Sequence, residues 1–382
     1  MIKNNSDLYN ALVKLISLLG KLNGIPDKEI RNIITHHPHS DELIHALSEL
    51  TTVEEDIQTV FDECISIYSE VGPSREYFTL FTLLNEIAED FMVLGNEETK
   101  RITVEILEKF RYEIDVVNQG IPRPSLLNMA LESRALVEWA SIYFMYPFIP
   151  KRIEGNGKPV LLIPPYLTDD NATGFVRRYL TSLGFKTYKW EQGLNMIKAH
   201  YLPRLEEKLD DIYSAHGEKV NIVGWSGGGM FAKIMANRHP EQVEQIVTIG
   251  SPVWGVMDMK SHVDGVLQFF SGKSLKEKNK KFIEELEPIP DVPVTCIYTK
   301  TDGIVPWKHC IEAESYRDDI KNIEVFGSHS GLGANVSVLM ITANALSANL
   351  QGKSIQDNTT NIERLLYPYY WMKKKESLFF TS

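Results

Sequence analysis

Cysteine is scarce in this chain: three residues among 382, at positions 64, 296 and 310. Odd in number and widely spread, they exclude a disulfide framework. Cys64 and Cys296 fall within apolar helix and strand patterns, so buried free thiols are expected. Long hydrophobic runs are also missing, since no stretch approaches the ~18 uninterrupted apolar residues that span a bilayer. The opening Met1-Ile2-Lys3-Asn4-Asn5-Ser6 lacks the apolar core of a signal peptide, so a cytoplasmic protein is expected. No internal repeat is visible, which argues against a solenoid. His36, His37, His39 and His45 crowd one stretch, but no cysteine or carboxylate stands beside them at zinc spacing. Pro38 and Ser40 read there as a loop and a helix cap, and neither a metal nor a cofactor is expected.

Positive charge is short in the first 150 residues, where 24 Asp and Glu stand against 12 Lys and Arg; the remainder carries 27 against 28. The acidity argues for a separate unit at the N-terminus and against direct nucleic-acid binding there. Periodicity in this part is helical. Leu8, Leu12, Leu15, Leu19 and Leu22 fall three or four apart, as do Val53, Ile57, Val60, Phe61, Cys64, Tyr68 and Val71. Thr51 or Thr52 is expected to cap the second of these helices, with Glu54 and Glu55 in its first turn. Ser74 and Asn96 read as caps of two more. The expected unit is an all-α acidic domain over residues 1–121. A further apolar helix, Leu126 to Tyr146, then leads into a different kind of sequence.

That second part carries the chemistry. Val220-Asn221-Ile222-Val223 reads as a buried strand and runs into Gly224-Trp225-Ser226-Gly227-Gly228, after which Met230 to Ala236 reads as a helix. A Gly-x-Ser-x-Gly turn between strand and helix is tight enough that Gly224 and Gly228 must lack side chains. It lifts the serine hydroxyl above the sheet edge, where a base can reach it. Ser226 is therefore the candidate nucleophile. A base and an orienting acid should follow in the order acid, then histidine. Val292 to Thr299 reads as a strand ending in Lys300-Thr301-Asp302-Gly303, which puts Asp302 just past a strand's C-terminal end, where open α/β sheets place their functional groups. Asp258 is the alternative acid, after the preceding strand. Ile323 to Phe326 reads as a further strand, followed by Gly327-Ser328-His329-Ser330-Gly331, and His329 is the histidine in that context. Two backbone donors should complete the site as an oxyanion hole. One is the N–H of Gly227. The other comes from the loop after Pro159-Val160-Leu161-Leu162-Ile163, where Pro164 and Pro165 have no N–H to give and Tyr166 is the first residue that has.

From about Pro159 to Leu350 the chain resembles the α/β-hydrolase superfamily, in its bacterial lipase and esterase-like branch. The stretches GWSGGG, YTKTDGIVPW and GSHSGLGAN carry the resemblance, in that order. It implies an α/β fold, a mostly parallel sheet with helices on both faces, and Ser226, Asp302 and His329 as nucleophile, acid and base. Those lipases usually carry Pro-Gly-Phe where this chain has Pro164-Pro165-Tyr166. A Pro-Pro pair is similar to that of polyhydroxyalkanoate synthases, acyltransferases of the same fold. Those enzymes use cysteine at the elbow, where this chain has Ser226. Hydrolysis and acyl transfer both stay open.

The domain expected over 122–350 contains a change of pattern between about 254 and 290. Val256, Met257, Met259, Val263, Val266, Leu267, Phe269 and Phe270 form an apolar patch there, followed by a lysine-rich run. Ordinary helix core is one reading of it. A small cap walling an acyl site is the other, with Trp225, Trp254, Met257, Phe269 and Phe270 as candidate substrate-binding residues. In the tail, 351–382, aromatics from Tyr367 to Trp371 adjoin three lysines. This segment could make peripheral contact with an anionic membrane, although packing across the hydrolase surface is preferred. The expected activity is cleavage of an acyl or lipid-like ester through an acyl-enzyme on Ser226. Transfer of the acyl group to an alcohol or thiol is the alternative. An idle scaffold binding a protein partner through the acidic helices is the reading from another class, and oligomeric state is not legible.

Overall fold

The computed structural model describes residues 2–37, 40–49, 56–71, 75–118, 120–256, 259–260, 280–314 and 317–350. The chain divides into two compact units, Met1–Ile121 and Pro122–Ser382.

The first unit is built of α1 (Ile2–Leu22), α2 (Asp27–Ile34), α3 (Ser40–Glu49), α4 (Ile57–Val71), α5 (Arg75–Leu94) and α6 (Glu97–Asn118). The leucine stripe of α1 is its spine: Leu12, Leu15 and Leu19 are buried against Phe61, Cys64 and Tyr68 of α4 and Leu84, Ile87 and Phe91 of α5. Side chains at the helix starts satisfy backbone N–H groups that no helical carbonyl can reach. Asn96 Oδ1 accepts from Glu98 and Thr99 N–H at 3.0 Å each, as the sequence pattern predicts. At α4 the cap is Asp56, whose Oδ1 accepts from Thr59 N–H at 3.0 Å. The expected caps Thr51, Thr52 and Ser74 lie outside the described residues. In the histidine stretch, His36 Nδ1 bonds the carbonyl of Asn32 and His37 Nε2 pairs with Asp90 at 3.0 Å.

The second unit begins with α7 (Leu126–Leu131), a single 3-10 turn over Glu132–Arg134, and α8 (Ala135–Met145). One helix was expected here, and two with a tight turn between them are found. The residues at that turn have other partners, described below. The apolar character of the segment is only partly used inside the fold. Ile142 is buried and Trp139 and Tyr146 pack on the core, whereas Leu136, Phe144 and Phe148 are exposed.

The sheet follows: β1 (Pro159–Ile163), α9 (Gly174–Ser182), β2 (Lys186–Tyr188), α10 (Leu202–His216), β3 (Val220–Trp225), α11 (Gly227–Arg238), β4 (Val243–Ile249), α12 (Lys280–Glu284), β5 (Val294–Tyr298), β6 (Ile320–Glu324) and α13 (Val336–Leu350). Its order is β2-β1-β3-β4-β5-β6, with every pairing parallel. Strands buried on both faces read as continuous apolar runs, which is why β1, β3 and β5 stand out in the sequence. The last strand differs from expectation. It runs from Ile320 to Glu324, paired with β5 from Val294↔Ile320 to Tyr298↔Glu324, and Phe326 lies beyond it, 65% exposed. As an edge strand with one neighbour, β6 accommodates Lys321, Asn322 and Glu324, and that polar content hides its first residues from a search for apolar runs. Among the described residues, no helix is long and apolar enough to cross a membrane.

Candidate active site

Three strand ends set the site. β3 ends directly at Ser226, which takes φ 52° and ψ −121° at the start of α11. Positive φ is unusual for any residue other than glycine, and it aims the serine out of the strand's line. The turn closes so tightly that a Cβ on Gly224 would stand 2.4 Å from the Gly228 carbonyl oxygen, and β1 lies so near that one on Gly228 would stand 2.2 Å from the carbonyl oxygen of Ile163. Only glycine fits at either position. β5 leads through Thr299-Lys300-Thr301 to Asp302. β6 leads through Val325 to Ser328 and then to His329, which opens a 3-10 turn over His329–Ala334.

These loops bring the three side chains into one hydrogen-bonded line. Asp302 Oδ2 accepts from His329 Nδ1–H at 2.6 Å, and Ser226 Oγ–H donates to His329 Nε2 at 2.9 Å. The other carboxylate oxygen of Asp302 accepts from Ile304 and Val305 N–H at 2.8 and 2.7 Å, fixing its plane. With Nδ1–H committed to the carboxylate, Nε2 is left as the acceptor facing the serine. All three side chains are buried. Burial pulls the His329 imidazole down, but the charge and hydrogen bond of Asp302, with a contribution from Glu132, hold it above its ordinary value.

Strand order, parallel pairing, the strained serine between β3 and its helix, and the chain order Ser, Asp, His coincide in one sheet. The fold is the α/β-hydrolase fold. No protein-family model and no curated protein sequence matches the chain. Solved structures similar to part of it include the Paleococcus ferrophilus monoacylglycerol lipase, at 16% identity over 45% of this chain and 88% of that one, TM-score 0.32. A lipase-esterase related protein from Clostridium acetobutylicum is 13% identical over 54% and 96%, TM-score 0.36. Mouse α/β-hydrolase domain-containing protein 10 is 20% identical over 52% and 92%, TM-score 0.38.

Around the α/β-hydrolase elbow, the first residue of α11 is Gly227, whose N–H has no acceptor within its own helix. The N–H nitrogen of Tyr166 lies 3.5 Å from where a Cβ on Gly227 would stand, so the two expected oxyanion donors are neighbours. The loop bearing Tyr166 is held by fully buried Asn195. Its Nδ2 donates to the Pro164 carbonyl at 2.7 Å, its Oδ1 accepts from Ile197 N–H at 2.9 Å, and its backbone exchanges bonds with Leu167 and Thr168. Ile197, at φ 48°, is thereby set over the elbow, its Cδ1 only 2.6 Å from the Gly227 Cβ position. Sequence reading overlooked Asn195 and Ile197, because nothing in a polar loop marks one asparagine as a rivet.

The expected substrate-binding residues are placed differently. Trp225 packs in the core, stacked on Trp139 at 6.5 Å between ring centroids. Trp254 is fully buried, with Nε1 donating to the Lys308 carbonyl at 2.9 Å. Both indoles are taken up by packing within the fold. Met257, Phe269 and Phe270 lie outside the described residues, as do the alternative acid Asp258, most of the expected cap and the 351–382 tail. Half-buried Ile197 is the apolar group set over Gly227, and the exposed Leu167 and Leu194 lie on the two segments that Asn195 joins.

Proposed function

We propose that this protein is a serine hydrolase that cleaves acyl esters through an acyl-enzyme on Ser226. The observation that carries the reading is His329, bonded through Nδ1 to Asp302 and through Nε2 to the Ser226 hydroxyl. In this scheme Ser226 Oγ attacks the acyl carbonyl while Nε2 takes its proton, and Asp302 stabilises the resulting imidazolium. The N–H groups of Gly227 and Tyr166 receive the oxyanion. Collapse expels the alcohol, which takes the proton from His329. Water, deprotonated in turn by His329, releases the carboxylic acid and restores the serine.

The substrate class is an acyl or lipid-like ester. Ile197 over Gly227, with exposed Leu167 and Leu194 on the adjoining segments, supports an apolar acyl site, so esters of medium chain length are favoured over acetate. Each buried methylene contributes up to ~0.8 kcal/mol, about fourfold in kcat/KM. Pro164 and Pro165 support a second reading, in which an alcohol or thiol accepts the acyl group in place of water. Adding such an acceptor to the ester assay and looking for the new ester or thioester separates the two.

Ser226→Ala tests the central claim. It should abolish labelling by a fluorophosphonate probe and lower hydrolysis of a p-nitrophenyl ester by about 10³-fold or more, since members of such a triad act as a unit. Retention of roughly a tenth of the activity would remove Ser226 from the mechanism.

A further inference from the structure

The segment between α7 and α8 is tied to both loops of the site. Residues 124–150 contain only three charged side chains, Glu132, Arg134 and Glu138, and all three point at the loops bearing Asp302 and His329. One Glu132 oxygen accepts from Gly303 N–H and His329 N–H at 2.9 Å each, and the other accepts from Ser330 N–H at 3.0 Å. Arg134 donates to the Thr301 hydroxyl at 2.8 Å, to the Thr301 carbonyl and to the Gly327 carbonyl. Glu138 accepts from Ser328 N–H at 3.0 Å and from its hydroxyl. Trp139 Nε1 donates to the Ser330 carbonyl at 2.9 Å. Both loops leave room for this segment. A Cβ on Gly303 would stand 2.5 Å from the Asn128 carbonyl oxygen, and one on Gly331 would stand 1.5 Å from Glu138 Oε2.

Asp302 and His329 follow different strands, and their loops are joined by the β5–β6 pairing and by the Thr299 and Thr301 hydroxyls, which donate to the Gly327 carbonyl at 3.2 and 2.9 Å. Glu132 bonds the residue after the acid and the base's own backbone with a single carboxylate. We infer that Glu132 is a positioning residue of the triad, holding the Asp302 and His329 loops in mutual register and keeping a fixed negative charge beside the imidazole. This rests on the reading of Ser226, His329 and Asp302 given above. Burial pushes the Glu132 carboxyl up, but the N–H groups of Ser330, His329 and Gly303 and the His329 charge together hold it below its ordinary value, so it is ionised. The groups facing His329 are Asp302 and Ser226, which bond its ring, and Glu132. Arg134 and Glu138, an ion pair at 3.6 Å, flank it through the Gly327 and Ser328 backbone.

The test uses the full chain with Glu132→Gln and Glu132→Asp, reading kcat/KM against pH on a p-nitrophenyl ester, the fluorophosphonate labelling rate and thermal unfolding. Glu132→Gln presents an amide N–H₂ to one of the three N–H groups and removes the charge. It should lower kcat/KM on the order of 10²-fold, the cost of a misplaced catalytic group, and move the acid limb of the profile down by about one pH unit. Glu132→Asp keeps the charge on a stem too short for all three bonds. It should lose about tenfold in rate, since part of the positioning is lost, with the limb where wild type has it. A Glu132→Gln protein with wild-type rate and limb overturns the inference, and so does a uniform loss of rate that tracks lower stability with no movement of the limb. Should Glu132→Gln not fold, Glu132→Asp decides alone: wild-type kcat/KM in that variant is fatal, and a lower kcat at unchanged thermal stability upholds the assignment. The two readings fail separately. A Ser226→Ala protein that still takes the probe removes the triad and Glu132 with it, whereas Ser226-dependent labelling with an indifferent Glu132→Gln removes Glu132 alone.

Discussion

Lys233 lies on α11, the helix that follows the candidate nucleophile, and faces Glu312 with side chains 1% and 0% exposed. Its ammonium donates to the Glu312 carboxylate and, at 2.7 Å, to the Val253 carbonyl. Lys233→Met keeps most of the stem and volume but leaves the Glu312 carboxylate buried without its cation. Breaking one side of a buried ion pair costs about 3–5 kcal/mol. At about 2–4 °C per kcal/mol for a domain of this size, the melting temperature should fall by roughly 6–20 °C. Replacing both partners is a different perturbation. In Lys233→Met/Glu312→Met neither charge of the pair is left buried without the other, and the loss of the Val253 carbonyl's donor, about 1–3 kcal/mol, is offset by apolar packing. The double variant should therefore recover most of the lost stability. All six tryptophans, Trp139, Trp190, Trp225, Trp254, Trp307 and Trp371, follow residue 121, so tryptophan fluorescence during heating or in urea follows the second unit alone. Two results would refute the reasoning: Lys233→Met within about 1 kcal/mol of wild type, or a double variant no more stable than the single one.

Other expectations concern the site and the thiols. His329 is held above its ordinary value, and under the proposed mechanism it must be neutral to take the serine proton, so activity should rise with pH through a limb above the usual histidine value of about 6.5. An acid limb below pH of about 6 would contradict this. Burial pushes the Cys64 and Cys296 thiols up to about 12 and raises Cys310 as well, so the folded protein should resist a thiol reagent that modifies all three cysteines after denaturation. Asn195→Ala removes the buried hydrogen bond to the Pro164 carbonyl and the local one from Ile197 N–H and should cost about 1–3 kcal/mol while lowering kcat/KM, and an unchanged kcat/KM would show that the Tyr166 loop holds its place without it. A chain beginning at Pro122 retains Glu132, Arg134 and Glu138 and should label at Ser226. One beginning at Lys151 lacks them and should not, even where it stays in solution, and equal labelling of the two would count against the segment's role.

What was legible in the sequence follows from short-range physics. Gly224 is demanded by a turn within a few residues of chain, whereas Gly228 is demanded by the end of β1, whose Ile163 carbonyl a Cβ would strike. The apolar runs of β1, β3 and β5 reflect burial on both sheet faces, so the elbow motif and the fold class could be read from local pattern. The leucine stripe of α1 and the Asn96 cap are equally local. Asp302 and His329 could be named because each follows its strand by a few residues. Their meeting across 27 residues, at 2.6 Å, is a product of the sheet. Glu132 is the opposite case. Its partners lie 171, 197 and 198 residues away, and in the sequence it is one acid in an apolar stretch that reads as a single helix. The strand read at Ile323–Phe326 is displaced from β6, Ile320–Glu324, because an edge strand with one neighbour need not be apolar. Local pattern can specify a residue whose constraint is its own backbone. A carboxylate defined by three distant N–H groups acquires its role only when the chain has closed around it.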